Sequence, residues 1–216
     1  MKDIGLIFDL DGTLLDTLGD LHDSVNYALE QVGLPKRSML EVRRFVGNGA
    51  RNLITQAVAG RADVEEVLTI FQRHYAAHCQ IKTAPYLGIS QVLEQLMEDY
   101  PVAIVSNKPD GAVKSLCGQF FPGISAWGET PDRPRKPAPD MVWKAMKELG
   151  VRAGIYIGDS EVDVITAENA GLPCVSVLWG FRDREEIEIQ GGMYFCEHPE
   201  QLPEMIEKIA GERDVQ

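Results

Sequence analysis

The sequence predicts an α/β fold: a doubly wound, mostly parallel sheet with an inserted block of helices. Three observations support this prediction. Residues 2–8 (KDIGLIF) form a short apolar run that indicates a buried strand. Residues 16–82 have the apolar spacing of helices, and from residue 83 onward short apolar strands alternate with helices.

The second part of the chain has the element order of a Rossmann-like core. Helices are expected over 89–97, 139–149 and 162–170, and strands over 102–105, 124–127, 154–158 and 174–178. Strands that alternate with helices in this way pair in parallel, because each helix carries the chain back across the sheet. We therefore assign residues 1–15 and 83–216 to one Rossmann-like core.

Residues 16–82, called the cap below, are expected to form a separate helical domain joined to the core by two linkers. Its first helix has an apolar stripe at 18, 21, 25, 28, 29 and 32, and ends at Gly33 and Pro35. Ser38 and Glu41 have the spacing of a capping box at the start of a second helix. Residues 64–79 are expected to form a further helix.

Composition and charge limit the classes of partner. The net charge of −12 argues against DNA or RNA, because phosphate backbones require a basic surface. No apolar stretch is long enough to span a bilayer, and no secretory signal is visible at the N-terminus. The four scattered cysteines indicate reduced thiols in a cytoplasmic protein. We expect either a monomer or a homodimer. The run at 182–186 is mixed in sign and indicates a solvated helix face.

Two carboxylates, Asp9 and Asp11, directly follow the first strand. Leu10 lies between them, so an extended backbone directs both side chains to the same side. Two like charges held this close are unfavourable unless a cation or a shared proton offsets them. The pair therefore indicates either a metal site or an unusually costly turn.

Polar residues also follow the later strands of the predicted sheet. Ser106 and Asn107 come after the strand at 102–105, and Asp159 and Asp163 come after the strand at 154–158. Lys136 lies between these two segments. Because the carboxyl ends of parallel strands meet at one edge, we expect these side chains to gather there.

This set of groups suits phosphoryl transfer. Asp9 can attack phosphorus and form an aspartyl-phosphate, while Asp11 protonates the leaving alkoxide and later accepts a proton from water. A hard cation, expected to be Mg²⁺, would bridge Asp9, Asp159 and a phosphate oxygen. The Lys136 ammonium and the Ser106 hydroxyl would stabilise the transferring group.

The four segments together resemble the haloacid dehalogenase superfamily, in particular its phosphatases with a helical cap inserted after the first strand. The DxDGT pattern lies at 9–13, the strand-terminal serine is Ser106, the lysine is Lys136 and the GDSxxD pattern lies at 158–163. All four occur in the order found in that superfamily, and the resemblance covers essentially the whole chain.

The resemblance implies a role for each matching residue. Asp9 would be the nucleophile and Asp11 the general acid and base. The magnesium ligands would be Asp9, the backbone carbonyl of Asp11, and Asp159. Asp163 would bind the metal directly or through water. Lys136, Ser106 and Asn107 would contact the phosphate.

The cap contains a string at 45–50 (FVGNGA) that is similar to a loop of the phosphoglycolate phosphatases in that superfamily. The candidate substrate residues there are Gly47, Asn48 and Gly49, together with Arg51, which could meet a substrate carboxylate. The best single substrate is therefore 2-phosphoglycolate, a small phosphorylated metabolite. A sugar-phosphate mutase similar to β-phosphoglucomutase, and a pyrophosphatase or nucleotidase, are the alternatives. Hydrolytic dehalogenation is disfavoured because those relatives lack the second aspartate.

Overall fold

A parallel six-stranded sheet lies at the centre of the fold in the computed structural model, which describes residues 2–213. In chain order the strands are β1 (Ile4–Phe8), β2 (Leu15–Asp16), β3 (Ala84–Pro85), β4 (Val102–Pro109), β5 (Ser125–Glu129), β6 (Ala153–Gly158), β7 (Cys174–Val177) and β8 (Tyr194–Cys196). The helices are α1 (Leu18–Gln31), α2 (Met39–Phe45), α3 (Gly49–Val58), α4 (Val64–His78), α5 (Ile89–Asp99), α6 (Asp110–Phe120), α7 (Asp140–Leu149), α8 (Glu161–Ala170), α9 (Arg184–Ile189) and α10 (Leu202–Arg213). The large sheet has the order β5-β4-β1-β6-β7-β8 with parallel neighbours throughout, so the predicted fold class is confirmed.

The central strand β1 and its two neighbours place their carboxyl ends together at one edge of the sheet. Its neighbours are β4 on one side and β6 on the other, so the strand order reverses across β1. Phe8 is in register with Ile104 of β4 and with Ile157 of β6. The chain therefore leaves these three strands side by side, at the point where open α/β sheets bind ligands.

Helices cover both faces of the sheet because side chains alternate along β1. Ile7 joins an apolar cluster with side chains of α7 and α8. Leu6 and Phe8 point to the opposite face and join a larger cluster that includes side chains of α5 and α10. Apolar residues of α1, α3 and α4 belong to this same cluster, so the cap and the core bury their apolar side chains together.

The inserted helices α1 to α4 lie between β2 and β3, which pair antiparallel as a short ribbon. α1 packs on α4, and α3 also packs on α4. The expected capping box is present in both directions between Ser38 and Glu41. The ribbon lies at the two junctions expected for the cap, while the division into cap and core domains stays a prediction.

The main difference from the expected elements is the length of β4. It continues past residue 105 to Pro109, because β5 pairs with it again at Glu129 beyond a break in register. Ser106, Asn107 and Lys108 are therefore strand residues rather than loop residues. The elements β2, β3, α3, α6, β8 and α10 were not among those expected. Within residues 2–213, no helix is both long and apolar enough to cross a membrane, and the four cysteines are free thiols.

Candidate active site

A cavity of about 50 Å³ lies between the carboxyl edge of the sheet and the cap. Most of the predicted core-side residues line it: Asp9, Asp11, Ser106, Asn107, Lys136 and Asp159. From the cap, the predicted residues Gly47 and Gly49 line it as well. The expected gathering of strand-end residues at one edge is thus what the structure contains.

Asp9 is buried beside a lysine ammonium. Lys136 Nζ lies 2.8 Å from Asp9 Oδ1 and 2.8 Å from Asp163 Oδ1, and the lysine side chain is only 2% exposed. The Asp9 Oδ1 atom nevertheless has no hydrogen bond of acceptable geometry. Asp9 therefore presents an oxygen that a cation or a phosphorus centre could engage, with Lys136 close enough to hold a phosphate oxygen.

The carboxylate of Asp163 is fully hydrogen-bonded. Its Oδ1 accepts from Lys136 Nζ at 2.8 Å and from the Tyr156 hydroxyl at 3.0 Å. Its Oδ2 accepts from the Ser160 hydroxyl at 2.6 Å and from the Ser160 backbone N–H at 3.1 Å. This arrangement fixes the position of Lys136 and the start of α8, and leaves Asp163 less free than Asp9 to bind a metal.

Asp159 is held tightly against two glycines. Its oxygens accept from the Thr13 hydroxyl at 3.0 Å and from the Phe181 backbone N–H at 2.7 Å. A Cβ at Gly12 would lie 2.3 Å from Asp159 Oδ2, and a Cβ at Gly180 would lie 2.4 Å from Asp159 Cβ. Gly12 also has a φ of +82°, so glycine is required there for two independent reasons.

The charges around Asp9 are poorly balanced by the protein alone. One oxygen of each of Asp9, Asp159 and Asp163 lies within 4.8 Å of the others, and all three residues are buried. Burial raises the pKa of Asp9 to about 7, and the nearby Lys136 only partly opposes this rise. Burial and the charges of Asp163 and Asp9 likewise raise the pKa of Asp159 well above its usual value.

The donor set fits a hard divalent cation. Carboxylate oxygens are the ligands that Mg²⁺ prefers, and a cation would offset both the burial and the mutual repulsion that raise these pKa values. Asp9 Oδ1, which has no hydrogen bond of acceptable geometry, and the nearby Asp159 carboxylate are the best-placed side-chain groups to hold it.

Asp11 is positioned by Lys108, which was not among the predicted site residues. Lys108 Nζ lies 2.7 and 2.9 Å from the two Asp11 oxygens, and the Thr17 hydroxyl donates to Asp11 at 2.5 Å. Lys108 is two residues beyond Ser106 on β4, so both side chains lie on the same face of the strand. That alternation is the signal that could have identified Lys108.

Ser106 and Asn107 have different environments. The Ser106 Oγ accepts from the Lys108 N–H at 3.2 Å, which leaves its own proton free to donate. Asn107 Nδ2 donates to the carbonyls of Gly47 and Lys136, at 3.1 and 3.0 Å, and Asn107 Oδ1 accepts from the Lys136 N–H at 2.8 Å. The donor and acceptor groups of the Asn107 amide thus bind Lys136 and the cap loop, which is the loop between α2 and α3. This differs from the phosphate contact we expected.

Arg182 contradicts the expectation of a solvated face at 182–186. It is 7% exposed and precedes α9, which begins at Arg184. Its guanidinium donates to Glu161 at 2.9 Å and to backbone carbonyls at the end of α2, including Val46 O at 2.6 Å. The last carbonyls of a helix have no partner within that helix, and Arg182 provides one from the core. Sequence alone could not show that this arginine lies under α2.

Among the predicted substrate residues of the cap, the two glycines reach the cavity and the side chain of Arg51 does not. Gly47 and Gly49 have φ values of +119° and +80°, and both line the cavity. Asn48 precedes α3 without a side-chain capping bond. The side chain of Arg51 is 57% exposed and forms a two-point ion pair with Glu65 at the start of α4. The structure thus does not bring Arg51 to the cavity, because Glu65 holds it at the cap surface.

Comparison with known proteins assigns the family. A profile of haloacid dehalogenase-like hydrolases matches residues 6–177. The chain belongs to the haloacid dehalogenase-like hydrolase family. It is 33% identical to a phosphoglycolate phosphatase of Cereibacter sphaeroides (strain ATCC 17025) over 95% of this chain and 98% of that protein. It is 35% identical to a phosphoglycolate phosphatase of Pseudomonas syringae pv. tomato over 82% of this chain and 70% of that protein.

Solved structures of haloacid dehalogenase-like proteins agree with the fold. A crystal structure from Lactobacillus delbrueckii subsp. bulgaricus, provisionally named a phosphoglycolate phosphatase, superposes with a TM-score of 0.88 at 37% identity. The alignment covers 95% of this chain and 99% of that one. The predicted resemblance is confirmed, and the chain is a phosphoric monoester hydrolase of this family.

Proposed function

We propose that this haloacid dehalogenase-like phosphatase hydrolyses 2-phosphoglycolate, with Mg²⁺, through an aspartyl-phosphate on Asp9. The observation that carries the proposal is the buried Asp9 carboxylate, whose Oδ1 lacks a hydrogen bond and lies 2.8 Å from Lys136 Nζ in the cavity. A nucleophile and a phosphate-binding cation are thus already adjacent.

The proposed chemistry has two steps. A carboxylate oxygen of Asp9 attacks phosphorus, the bond from phosphorus to the ester oxygen breaks, and Asp11 gives its proton to the departing alkoxide. Asp11 then takes a proton from water, which attacks phosphorus and releases phosphate from Asp9. Lys136 and the Ser106 hydroxyl hold the oxygens on which negative charge accumulates.

Asp9, Asp159 and the Asp11 carbonyl would hold the metal, whose charge would allow a phosphate dianion to approach the carboxylates. Asp163 contributes by orienting Lys136, through its bond of 2.8 Å to Nζ. We propose a cytoplasmic location and a cap formed by residues 16–82, in keeping with this role.

The substrate proposal follows from the names of the relatives. Several relatives aligned over most of their length are named phosphoglycolate phosphatase.

A substrate screen tests the proposal. Phosphate release with Mg²⁺ is measured on 2-phosphoglycolate, β-glucose 1-phosphate, pyrophosphate and nucleoside monophosphates. We expect the highest kcat/KM on 2-phosphoglycolate, and loss of turnover in Asp9→Asn with unchanged folding. Asp99→Asn is the matched control, because Asp99 is exposed at the end of α5 near the start of β1. Isomerised sugar phosphate without free phosphate would indicate the mutase, and preference for pyrophosphate or nucleotides would indicate the other alternative.

A further inference from the structure

The wall that the cap contributes to the cavity is almost entirely apolar. Among the described cap residues that line the cavity, Tyr75 is the only one with a polar side-chain atom. The others are glycines and apolar residues: Leu21, Val46, Ala50, Leu53 and Phe71. The position of the Tyr75 hydroxyl is therefore the main chemical feature of this wall.

Among the described residues, no group accepts the proton of the Tyr75 hydroxyl, although Tyr75 is only 4% exposed. Lys108 lies beside it, with Nζ 4.8 Å from the centre of the tyrosine ring. An ammonium offers only donors, so it cannot accept the phenolic proton. Burial raises the pKa of Tyr75, which keeps it a donor at neutral pH. A buried donor without an acceptor is unfavourable, so a ligand that supplies an acceptor would be favoured here.

Lys108 is a buried cation that lines the same cavity. Its Nζ lies 2.7 and 2.9 Å from the Asp11 oxygens, and its side chain is 3% exposed. An ammonium has three protons to donate, so an anionic group of the substrate would be stabilised beside Lys108.

We propose that Tyr75 and Lys108 form the subsite for the carboxylate of the substrate, next to the leaving-group oxygen. This inference rests on the proposed phosphoglycolate phosphatase activity and names the residues that select its substrate. Both groups present donors, and a carboxylate presents only acceptors, so the match is complete. A sugar hydroxyl in the same place is uncharged and is therefore a weaker acceptor for the Lys108 ammonium. The subsite thus favours carboxylated phosphates over polyhydroxylated ones.

The test compares two substrates that differ in one group. 2-Phosphoglycolate and ethyl phosphate have the same two-carbon alkyl phosphate, and only the first has a carboxylate. The measured quantity is the ratio of their kcat/KM values in wild type, in Tyr75→Phe and in the control Tyr27→Phe. Tyr27 is another cap tyrosine, 41% exposed and stacked on His74. We expect a preference for phosphoglycolate in wild type, kept by Tyr27→Phe and reduced on the order of tenfold to hundredfold by Tyr75→Phe.

A second readout separates recognition from folding. Because no described group accepts the proton of this hydroxyl, Tyr75→Phe should melt at the same temperature as wild type or higher. A preference retained by a folded Tyr75→Phe variant would overturn the subsite and leave the phosphoglycolate activity in place. A wild-type enzyme with no preference for the carboxylated substrate would instead overturn the phosphoglycolate assignment itself.

Discussion

Replacing Arg182 with methionine should destabilise the protein at the junction between the core and the cap. The arginine donates to three backbone carbonyls around the end of α2: Arg43 O at 3.2 Å, Arg44 O at 3.4 Å and Val46 O at 2.6 Å. Methionine keeps much of the apolar stem but removes every donor. The carbonyls then lose their partner in a region that the side chain otherwise keeps dry.

The size of the effect follows from the lengths and burial of these bonds. The short, buried bond to Val46 O should contribute about 1.5–3 kcal/mol, as hydrogen bonds from charged groups do. The two longer bonds are partly buried and should add less than about 1 kcal/mol together. The ion pair with Glu161 adds little, since that side chain is 29% exposed. We expect a total loss of about 2–4 kcal/mol, or a fall in Tm on the order of 5–12 °C.

Thermal and urea unfolding measure this loss, and Arg51→Met is the matched control. Arg51 also forms an ion pair, within the cap, but its side chain is 57% exposed and that of its partner Glu65 is 61% exposed. Exposed pairs of this kind contribute about 0–1 kcal/mol. Because Val46 precedes the cavity-lining Gly47, Arg182→Met should also lower kcat/KM. Equal stabilities of the two variants would refute the assignment of Arg182 as the residue that holds the end of α2.

Two further predictions concern the acidic site. Mg²⁺ should raise Tm more at pH 8 than at pH 5: the pKa of Asp9 rises from 3.8 to about 7 on folding, so the metal-free protein keeps protons there that Mg²⁺ must displace. The same pKa rise makes the metal-free protein lose stability as the pH is raised from 4 to 7. A Mg²⁺-induced increase in Tm that is independent of pH would contradict this reasoning. Gly12→Ala should abolish the Mg²⁺ shift and lower stability by about 1–3 kcal/mol, because its Cβ would lie 2.3 Å from Asp159 Oδ2. Gly33→Ala, with a similar φ of +69° and no atom within 4 Å, measures the backbone strain alone, and matching losses in both variants would exclude the clash as the cause.

The sequence was informative wherever the signal is local. Apolar runs located the central strands, and the capping box at Ser38 and Glu41 was recognised from two residues. The strand-end positions of Asp9, Ser106 and Asp159 followed from one rule, that the carboxyl ends of parallel strands share an edge. These inferences require only the order of elements along the chain.

The sequence was uninformative where a side chain's environment comes from a distant segment. Lys108 pairs with Asp11, and Arg182 binds the end of α2, across long stretches of chain. Either residue taken alone resembles an ordinary surface cation. Arg51 shows the opposite error: its position beside a glycine-rich loop suggested the cavity, yet α3 turns its side chain toward Glu65. Which cation is buried depends on packing between the cap and the core, and no local pattern encodes that packing.

The contacts around Asp159 link the metal-binding edge of the core to the cap. Asp159 accepts from the Phe181 N–H at 2.7 Å. Of the two residues beside Phe181, one accepts a hydrogen bond from α2 and the other donates to the end of α2. Arg43 of α2 donates to Gly180 O at 3.1 Å, while Arg182 donates back to Val46 O. A movement of the cap that breaks these bonds would also pull on the backbone that orients Asp159. We therefore expect the position of the cap and the geometry of the acidic site to be coupled through residues 180–182.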